Sequence, residues 1–441
     1  MIRLKRWSRN AMLMLTLGAA AGAHAADSAA FEAGFAAVDI TPSGSVPLWG
    51  YGKDERAENF STGANDPLFA KALVFSAGAT KAAIVGLDLG RAPYEPMLER
   101  LRAKLKAEAG IEHFLFVGSH THHAPALELV RIPGRDQSVL EPAFAYYGEL
   151  EAKLAAAILS ADQARQPAKW GWASGPSNMS RNRHTTESPI PRDPELFVLR
   201  VERLDGKPIA LMVNFAAHPT NHPPHLNKFS ADFPGVMAKI VEKELGAPCM
   251  FLQGAAGDQQ CDMNDALWDK EDFKDPMGEW LAKDVIALAP AIQTKAPERP
   301  ALTGATERFS FPMRLDLKNP LVTAGMREAY GEELHASYSE KCAGGQLHPS
   351  MTVLLINHEL ALAGGSGEFF SALSLRLKNA IAGPKALLLG YCNGHDMYFP
   401  SARAMAQGGY GAEPGTAWIA QGGSEQMIDW AVGKIHAIIG P

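Results

Sequence analysis

Lys81-Ala-Ala-Ile-Val-Gly-Leu-Asp88 is followed by a segment with helical spacing near 94–109 and then by His113-Phe-Leu-Phe-Val-Gly-Ser119. The two quoted stretches are short apolar runs, which predict buried strands, and the segment between them predicts an amphipathic helix. A strand, a helix and a second strand in this order are typical of an α/β fold. These stretches therefore indicate an α/β fold, and the rest of the sequence can be compared with this expectation.

The same alternation continues along the chain. Strand-like runs at 195–204 and 207–216 are joined across Asp205-Gly206, which predicts an antiparallel hairpin. The other predicted helices lie near 144–163, 233–245, 277–289, 368–382 and 424–438, and the other predicted strands at 34–40, 71–75, 248–253, 351–357 and 385–391. We therefore expect an α/β protein with a mixed β-sheet core and flanking helices, formed by one large domain over residues 26–441.

The first 25 residues have the features of a secretory signal peptide. A basic start precedes the apolar run 11–22 and the small-residue cleavage pattern Ala23-His-Ala25. The apolar run is shorter than the roughly 20 residues that cross a bilayer, so no transmembrane anchor is expected after cleavage. We expect a secreted or periplasmic protein.

Composition narrows the classes of partner. The 441 residues are 46% hydrophobic and 20% charged, which excludes a disordered chain. The formal net charge is −6, and loss of the basic leader makes the chain more acidic, which disfavours nucleic acid as a partner. The four cysteines, Cys249, Cys261, Cys342 and Cys392, form no CxxC pair, so one or two disulfides are possible with no pairing favoured.

Three histidines follow the predicted strand 113–119, in the segment His120-Thr-His122-His123. Functional sites of α/β proteins lie at the carboxyl ends of strands. In an extended backbone residues two apart point to the same side, so His120 and His122 can share one small volume. Clustered imidazoles are typical of metal or acid–base sites, and three incidental loop histidines are the alternative.

A second histidine cluster follows the apolar strand 207–216. His218 comes directly after this strand, and Pro219 ends it. His222 and His225 lie in the irregular loop that follows, where solvated side chains are expected. Only His218 is therefore predicted as a metal ligand.

One carboxylate and two tyrosines complete the candidate residues. The segment Leu362-Ala-Gly-Gly-Ser-Gly-Glu368 predicts a glycine turn with Glu368 at a helix start, where a capping role is the alternative to a functional one. Tyr398 and Tyr410, taken alone, are equally consistent with buried packing.

Taken in order, these segments resemble the neutral/alkaline (non-lysosomal) ceramidase family over most of the chain after the leader. The segments that resemble family motifs are Gly34–Pro42, His120-Thr-His-His-Ala-Pro125, Asn182-Arg183, Ala216-Ala-His218-Pro-Thr220, Ser366-Gly-Glu368-Phe-Phe370, and the tyrosines Tyr398 and Tyr410 at the family's spacing. Order, spacing and residue type agree together, which makes coincidence improbable.

The resemblance implies a zinc-hydrolase-type domain that cleaves the amide bond of an N-acyl lipid such as ceramide. The zinc ligands that it implies, for one Zn²⁺ per chain, are His120, His218, Glu368 and Tyr398. It implies that a metal-activated water attacks the carbonyl and that His122 acts first as general base and then as acid. Arg183 and Tyr410 would donate hydrogen bonds to the developing oxyanion.

Two departures from the family leave alternatives open. Gln260, in Gly257-Asp258-Gln259-Gln260-Cys261-Asp262, stands where the family has a serine, so a serine nucleophile is excluded there. We also expect no counterpart of the family's C-terminal immunoglobulin-like extension. The alternatives are a metal-dependent hydrolase of a non-ceramide amide or a carboxylic ester, and a non-catalytic amphiphile-binding protein. His122 and Arg183 argue against the last, because binding alone needs neither.

Overall fold

The computed structural model of the protein describes residues 30–52, 59–263 and 266–440, and the predicted leader 1–25 lies outside the described residues. The strands are β1 (Phe31–Asp39), β2 (Phe69–Ala77), β3 (Thr80–Leu87), β4 (His113–Gly118), β5 (Gln166–Pro176), β6 (Ser180–Asn182), β7 (Glu195–Arg203), β8 (Pro208–Phe215), β9 (Cys249–Gln253), β10 (Gln259–Cys261), β11 (Leu302–Arg308), β12 (Phe311–Pro312), β13 (Gln346–Leu347), β14 (Ser350–Ile356), β15 (Leu360–Gly365), β16 (Glu368–Phe369), β17 (Lys385–Leu389) and β18 (Tyr398–Phe399). The helices are α1 (Glu95–Ala109), α2 (Glu141–Gln163), α3 (Asp232–Leu245), α4 (Lys274–Leu288), α5 (Pro320–Lys341), α6 (Ser371–Ala380), α7 (Ala402–Gln407) and α8 (Gly423–Ile439).

The larger sheet has eight strands in the order β4-β3-β2-β1-β5-β7-β8-β9. Its two outermost pairs, β3 with β4 and β8 with β9, are parallel, and the pairs between them are antiparallel. The predicted hairpin of β7 and β8 is present. The mixed sheet and flanking helices confirm the expected fold class.

A second sheet of four strands, in the order β11-β14-β15-β17, packs against the larger one. Leu73 and Phe75 of β2 share one buried apolar cluster with Leu354 of β14 and Leu362 of β15. Helices α1 to α4 cover the outer face of the larger sheet, and α5, α6 and α8 cover the outer face of the smaller one. The result is a four-layer arrangement of helices, sheet, sheet and helices, in which both sheets are buried on two faces.

The four cysteines are all buried, and none of them forms a disulfide. Burial raises the pKa of Cys249 to about 12 and that of Cys342 to about 11. Among the described residues, no helix combines the length and the apolar character needed to cross a membrane.

Candidate active site

One buried amide brings two strand ends together. Gln253, the last residue of β9, donates from Nε2 to the carbonyl oxygen of Ser119 (2.9 Å) and to that of Ala217 (2.8 Å). Each acceptor is the residue immediately before a candidate ligand, His120 or His218. The ring centroids of these two histidines therefore lie only 4.7 Å apart, although the residues come from opposite ends of the larger sheet.

His120 has a left-handed backbone, with φ at 72°, so the expected extended conformation of this segment is wrong. The segment is bent because β4 has ended, and the amide of His120 bonds to the carbonyl of Leu89 beside it. The ring nitrogen Nδ1 lies 2.7 Å from the carbonyl oxygen of Gly90. His120 and His122 nevertheless share one small volume as predicted, with their Nε2 atoms 3.4 Å apart.

His218 is held by the loop that follows β9. Its Nδ1 lies 2.6 Å from the carbonyl oxygen of Ala256, and its amide donates to the carbonyl of Gln259 (2.9 Å). Burial, with the nearby charge of Arg183, lowers the pKa of His218 to about 3, so the ring is neutral at neutral pH. Its proton lies on Nδ1, and Nε2 carries a lone pair.

Glu368 lies on the short strand β16, which pairs in parallel with β18, the strand of Tyr398. The predicted helix start at Glu368 is therefore wrong. Helix α6 begins at Ser371, whose amide and hydroxyl groups both donate to the buried carboxylate of Asp258. Glu368 Oε2 lies 3.3 Å from His120 Nε2 and 3.2 Å from His218 Nε2. Burial opposes the charge of Glu368, but the imidazoles around it hold its pKa well below the ordinary value.

The atoms of His120, His218 and Glu368 fit a metal ion. Bonds of about 2.0–2.2 Å in a tetrahedron place neighbouring ligand atoms roughly 3.3–3.6 Å apart, close to the observed 3.2 and 3.3 Å. Both histidines can donate their Nδ1 proton to a backbone carbonyl, so their Nε2 lone pairs converge on the same carboxylate oxygen. A cation between these three buried atoms satisfies all of them.

Arg183 connects the candidate ligands to the two tyrosines. Its Nη2 lies 2.9 Å from His218 Nε2 and donates to the hydroxyl of Tyr398 (2.9 Å) and to the carbonyl of Gly257 (3.1 Å). Burial opposes its charge, but Tyr398, Tyr410 and Glu368 raise the pKa of Arg183. The guanidinium group thus contacts the same nitrogen of His218 that faces Glu368, so a metal bound to this nitrogen would have to displace it.

Tyr398 and Tyr410 lie together at one side of the site. The hydroxyl of Tyr398 contacts Arg183 and lies 3.4 Å from that of Tyr410. Burial raises the pKa of Tyr398 well above its ordinary value. The side chain of Tyr410 is 60% exposed, so this residue marks the solvent side of the site. The predicted role of Tyr398 as a ligand stays a prediction.

His122 contacts His120 through Nε2 and packs against two aromatic rings. Its ring packs edge-on against Trp49 (5.1 Å) and Tyr51 (4.8 Å). It also lies so close to Gly50 that any side chain at that position would clash with it. Burial and the neighbouring His120 lower the pKa of His122 well below its ordinary value. His122 is close enough to His120 and His218 to join them around one ion.

Two residues of the site were missed by the sequence analysis. His395 places Nε2 at 3.2 Å from Glu368 Oε1, and Tyr391 donates its hydroxyl to Glu368 Oε2 (3.3 Å) while its ring stacks on that of His120. The only available signal was a histidine three residues before Tyr398.

The second histidine cluster differs from the prediction at one position. His222 is buried and not solvated, because its Nδ1 bonds to Asp272 (2.9 Å) and its ring packs against His123. His225 is exposed as expected. Gln260 lies on β10, which pairs with β6 directly before Arg183 and also bridges to His218. Gln260 therefore lies on a strand that contacts both the segment leading into Arg183 and His218.

Comparison with solved structures gives the fold that the resemblance of the motifs implies. No protein-family model matches the sequence, and no curated protein matches it either. Among solved structures, the chain is similar to the neutral ceramidase from Pseudomonas aeruginosa, with a TM-score of 0.74 and 19% identity over 94% of this chain and 75% of that one. It is also similar to a ceramidase complexed with C2, with a TM-score of 0.74 and 18% identity over 93% of this chain and 75% of that one. The chain therefore has the fold of neutral ceramidase.

Proposed function

We propose that the protein is a zinc-dependent hydrolase that cleaves the amide bond of an N-acyl lipid of the ceramide type. The observation that carries this proposal is the convergence of His120 Nε2 and His218 Nε2 on Glu368 Oε2, at 3.3 and 3.2 Å. The fold of neutral ceramidase and the conjunction of the motif residues in one site support it further. The signal-peptide pattern supports a secreted or periplasmic location.

Holding the metal and transferring the proton are tasks of different residues. His120, His218, Glu368 and Tyr398 would hold one zinc ion per chain. Zinc in such a site lowers the pKa of a water molecule to about 7 and polarises a carbonyl group. His122, kept neutral by burial, accepts the proton of the attacking water and returns it to the departing amine.

Arg183 and Tyr410 stabilise the oxyanion that develops at the carbonyl. Arg183 is half-buried and stays charged, and Tyr410 lies beside Tyr398 with an exposed ring. Hydrogen-bond donors directed at a developing oxyanion usually supply the largest single contribution to catalysis. No side-chain nucleophile is needed, which is compatible with Gln260 at the family's serine position.

A second candidate function is hydrolysis of a non-ceramide amide or a carboxylic ester at the same site. The position of Gln260, on the strand next to the one that leads into Arg183, favours this alternative. The amide of Gln260 is larger than a serine hydroxyl and offers both donors and an acceptor of hydrogen bonds. We expect Gln260→Ser to change the ranking of substrates while leaving the zinc content unchanged. A wild type that hydrolyses nothing, with ceramide cleavage restored by Gln260→Ser, would instead mean that the serine is essential.

The test combines metal analysis with a substrate panel. The purified protein should contain one zinc per chain by elemental mass spectrometry and should hydrolyse at least one member of a panel of ceramides, N-acyl amino acids and esters. Chelation should remove the zinc and the activity together, and added zinc should restore both. Full turnover by the metal-free protein would refute the proposal.

A further inference from the structure

Glu368 presents its two carboxylate oxygens to different neighbours. Oε2 faces His120 and His218, whereas Oε1 lies 3.2 Å from Nε2 of His395. His395 is buried, and its ring nitrogen, with His120 and Glu368, forms a group close enough to surround one ion. His395 is therefore either a further metal ligand or a hydrogen-bond donor to Glu368.

The second ring nitrogen distinguishes these two roles. A histidine that ligates a metal through Nε2 normally donates its Nδ1 proton to an oxygen atom. His120 and His218 have such acceptors, the carbonyl oxygens of Gly90 and Ala256. Nδ1 of His395 is buried, and no hydrogen-bond partner for it exists among the described residues. A proton there would be an unsatisfied buried donor. The proton of His395 therefore lies on Nε2, where Glu368 Oε1 accepts it.

The backbone around His395 is held from the opposite side. Lys341, the last residue of α5, donates from Nζ to the carbonyl oxygen of His395 (2.6 Å) and lies 2.8 Å from the carboxylate of Asp396. Asp396 also accepts a hydrogen bond from Ser366 (2.6 Å), two residues before Glu368. Glu368 and His395 are thus tied to the same buried network, which fixes their relative positions.

We propose that His395 is a positioning residue for the metal centre, and that it directs Oε2 of Glu368 to the ion by holding Oε1 through its Nε2–H group. The inference rests on the proposed function, because it takes Glu368 as a ligand. A carboxylate that binds through one oxygen can otherwise rotate, and loss of an outer partner of this kind typically weakens metal binding about 10–100-fold.

The test measures zinc binding without reference to turnover. Zinc content at saturation and affinity, by competition with a chromophoric chelator, are compared for the wild type, His395→Ala, His395→Gln and His218→Ala. We expect His395→Ala to bind one zinc per chain about 10–100-fold more weakly. His395→Gln should recover most of this loss, because its amide can still donate to Oε1. His218→Ala should fail to bind stoichiometric zinc.

Two further variants separate the role of His395 from effects on folding and from the general effect of removing a buried histidine. His395→Phe fills the same buried space without a donor, and it replaces His395→Ala if that variant does not fold. His335→Ala removes a mostly buried histidine of α5, whose ring lies near Ser339, and should leave zinc affinity unchanged.

Each other outcome contradicts the inference in a recognisable way. Wild-type affinity in His395→Ala or His395→Phe would show that His395 does not position Glu368. Complete loss of zinc in these variants, as in His218→Ala, would make His395 a ligand. Affinity in His395→Gln as weak as in His395→Ala would exclude the donor role. A wild type that binds no zinc would refute the proposed metal centre and the role of His395 with it.

Discussion

His120 and His122 are close neighbours in sequence and in space, yet their surroundings differ. His120 is held by a backbone carbonyl at Nδ1 and faces Glu368 with Nε2. His122 lies against the rings of Trp49 and Tyr51, with its Nε2 at 3.4 Å from that of His120. These surroundings suit a ligand and a proton acceptor, respectively.

We expect the two histidines to be separable by mutation. His122→Ala should keep one zinc per chain and lose about 10²–10⁴-fold in hydrolysis rate, the usual contribution of a general acid–base group. His120→Ala should lose both zinc and activity. Metal content and rate are measured on the same preparations. Equal loss of zinc in both variants would identify His122 as a ligand, an arrangement that its distance from His120 permits.

Individual residues of the site were predictable to different degrees. His120, His218 and Glu368 were found because strand ends and motif order are local features of a sequence, and the structure brings them together. His395 and Tyr391 were missed because their importance depends on the parallel pairing of β15 with β17 and of β16 with β18. Such pairing joins residues distant in sequence, and no local pattern reports it.

A cluster of charged side chains joins β7 of the larger sheet to helix α6 and to β17 of the smaller sheet. Glu195, the first residue of β7, contacts Lys378 of α6 (2.9 Å) and Lys385 of β17. Asp193, just before β7, contacts Lys378 (2.6 Å) and is 5% exposed. Burial alone would raise the pKa of Glu195, but the two lysines hold it below its ordinary value.

Lys378→Met should destabilise the protein at neutral pH by about 1–3 kcal/mol, because the carboxylates of Asp193 and Glu195 each lose one of their donors. A carboxyl group with a lowered pKa in the folded state stabilises that state above its unfolded pKa and loses this contribution as the pH falls through the folded one. The difference from wild type in urea unfolding should therefore shrink below about pH 4. Lys283→Met, at an exposed lysine of α4, is the control and should have little effect. An undiminished difference at pH 3 would contradict this explanation.

Among the elements, strongly periodic segments were predicted and weakly periodic ones were not. The expected helices near 94–109 and 233–245 correspond closely to α1 and α3. Helix α5 was missed because it is interrupted at Gly331, where φ is 79°, and buries few side chains. Strand β15 was missed because its glycines and alanines lack the branched residues typical of strands.

The metal centre would link the two sheets of the molecule. His120 and His218 follow strands of the larger sheet, whereas Glu368 follows β15 of the smaller one. Because ligands this distant in sequence meet only in the folded chain, zinc should bind the native state far more tightly than the unfolded one.

We expect zinc to raise the midpoint of thermal unfolding. Free zinc at 100 times the dissociation constant adds about 2.7 kcal/mol to the free energy of unfolding, which corresponds to a rise of a few degrees. Thermal denaturation with zinc and with chelator measures the change. His218→Ala should show no rise, and His335→Ala should show the same rise as the wild type. An identical midpoint with and without zinc would mean that the ion does not bind where the two sheets meet.

The four buried, unpaired cysteines have a practical consequence for handling the protein. A thiol reacts as its thiolate, and burial both raises the pKa of these groups and keeps oxidants away from them. The native protein should therefore tolerate storage in air. Denaturation exposes all four sulfur atoms at once, and any disulfide formed then would lock in a pairing that the native chain does not contain. Recovery from inclusion bodies should accordingly depend on a reductant throughout refolding, although the finished protein needs none.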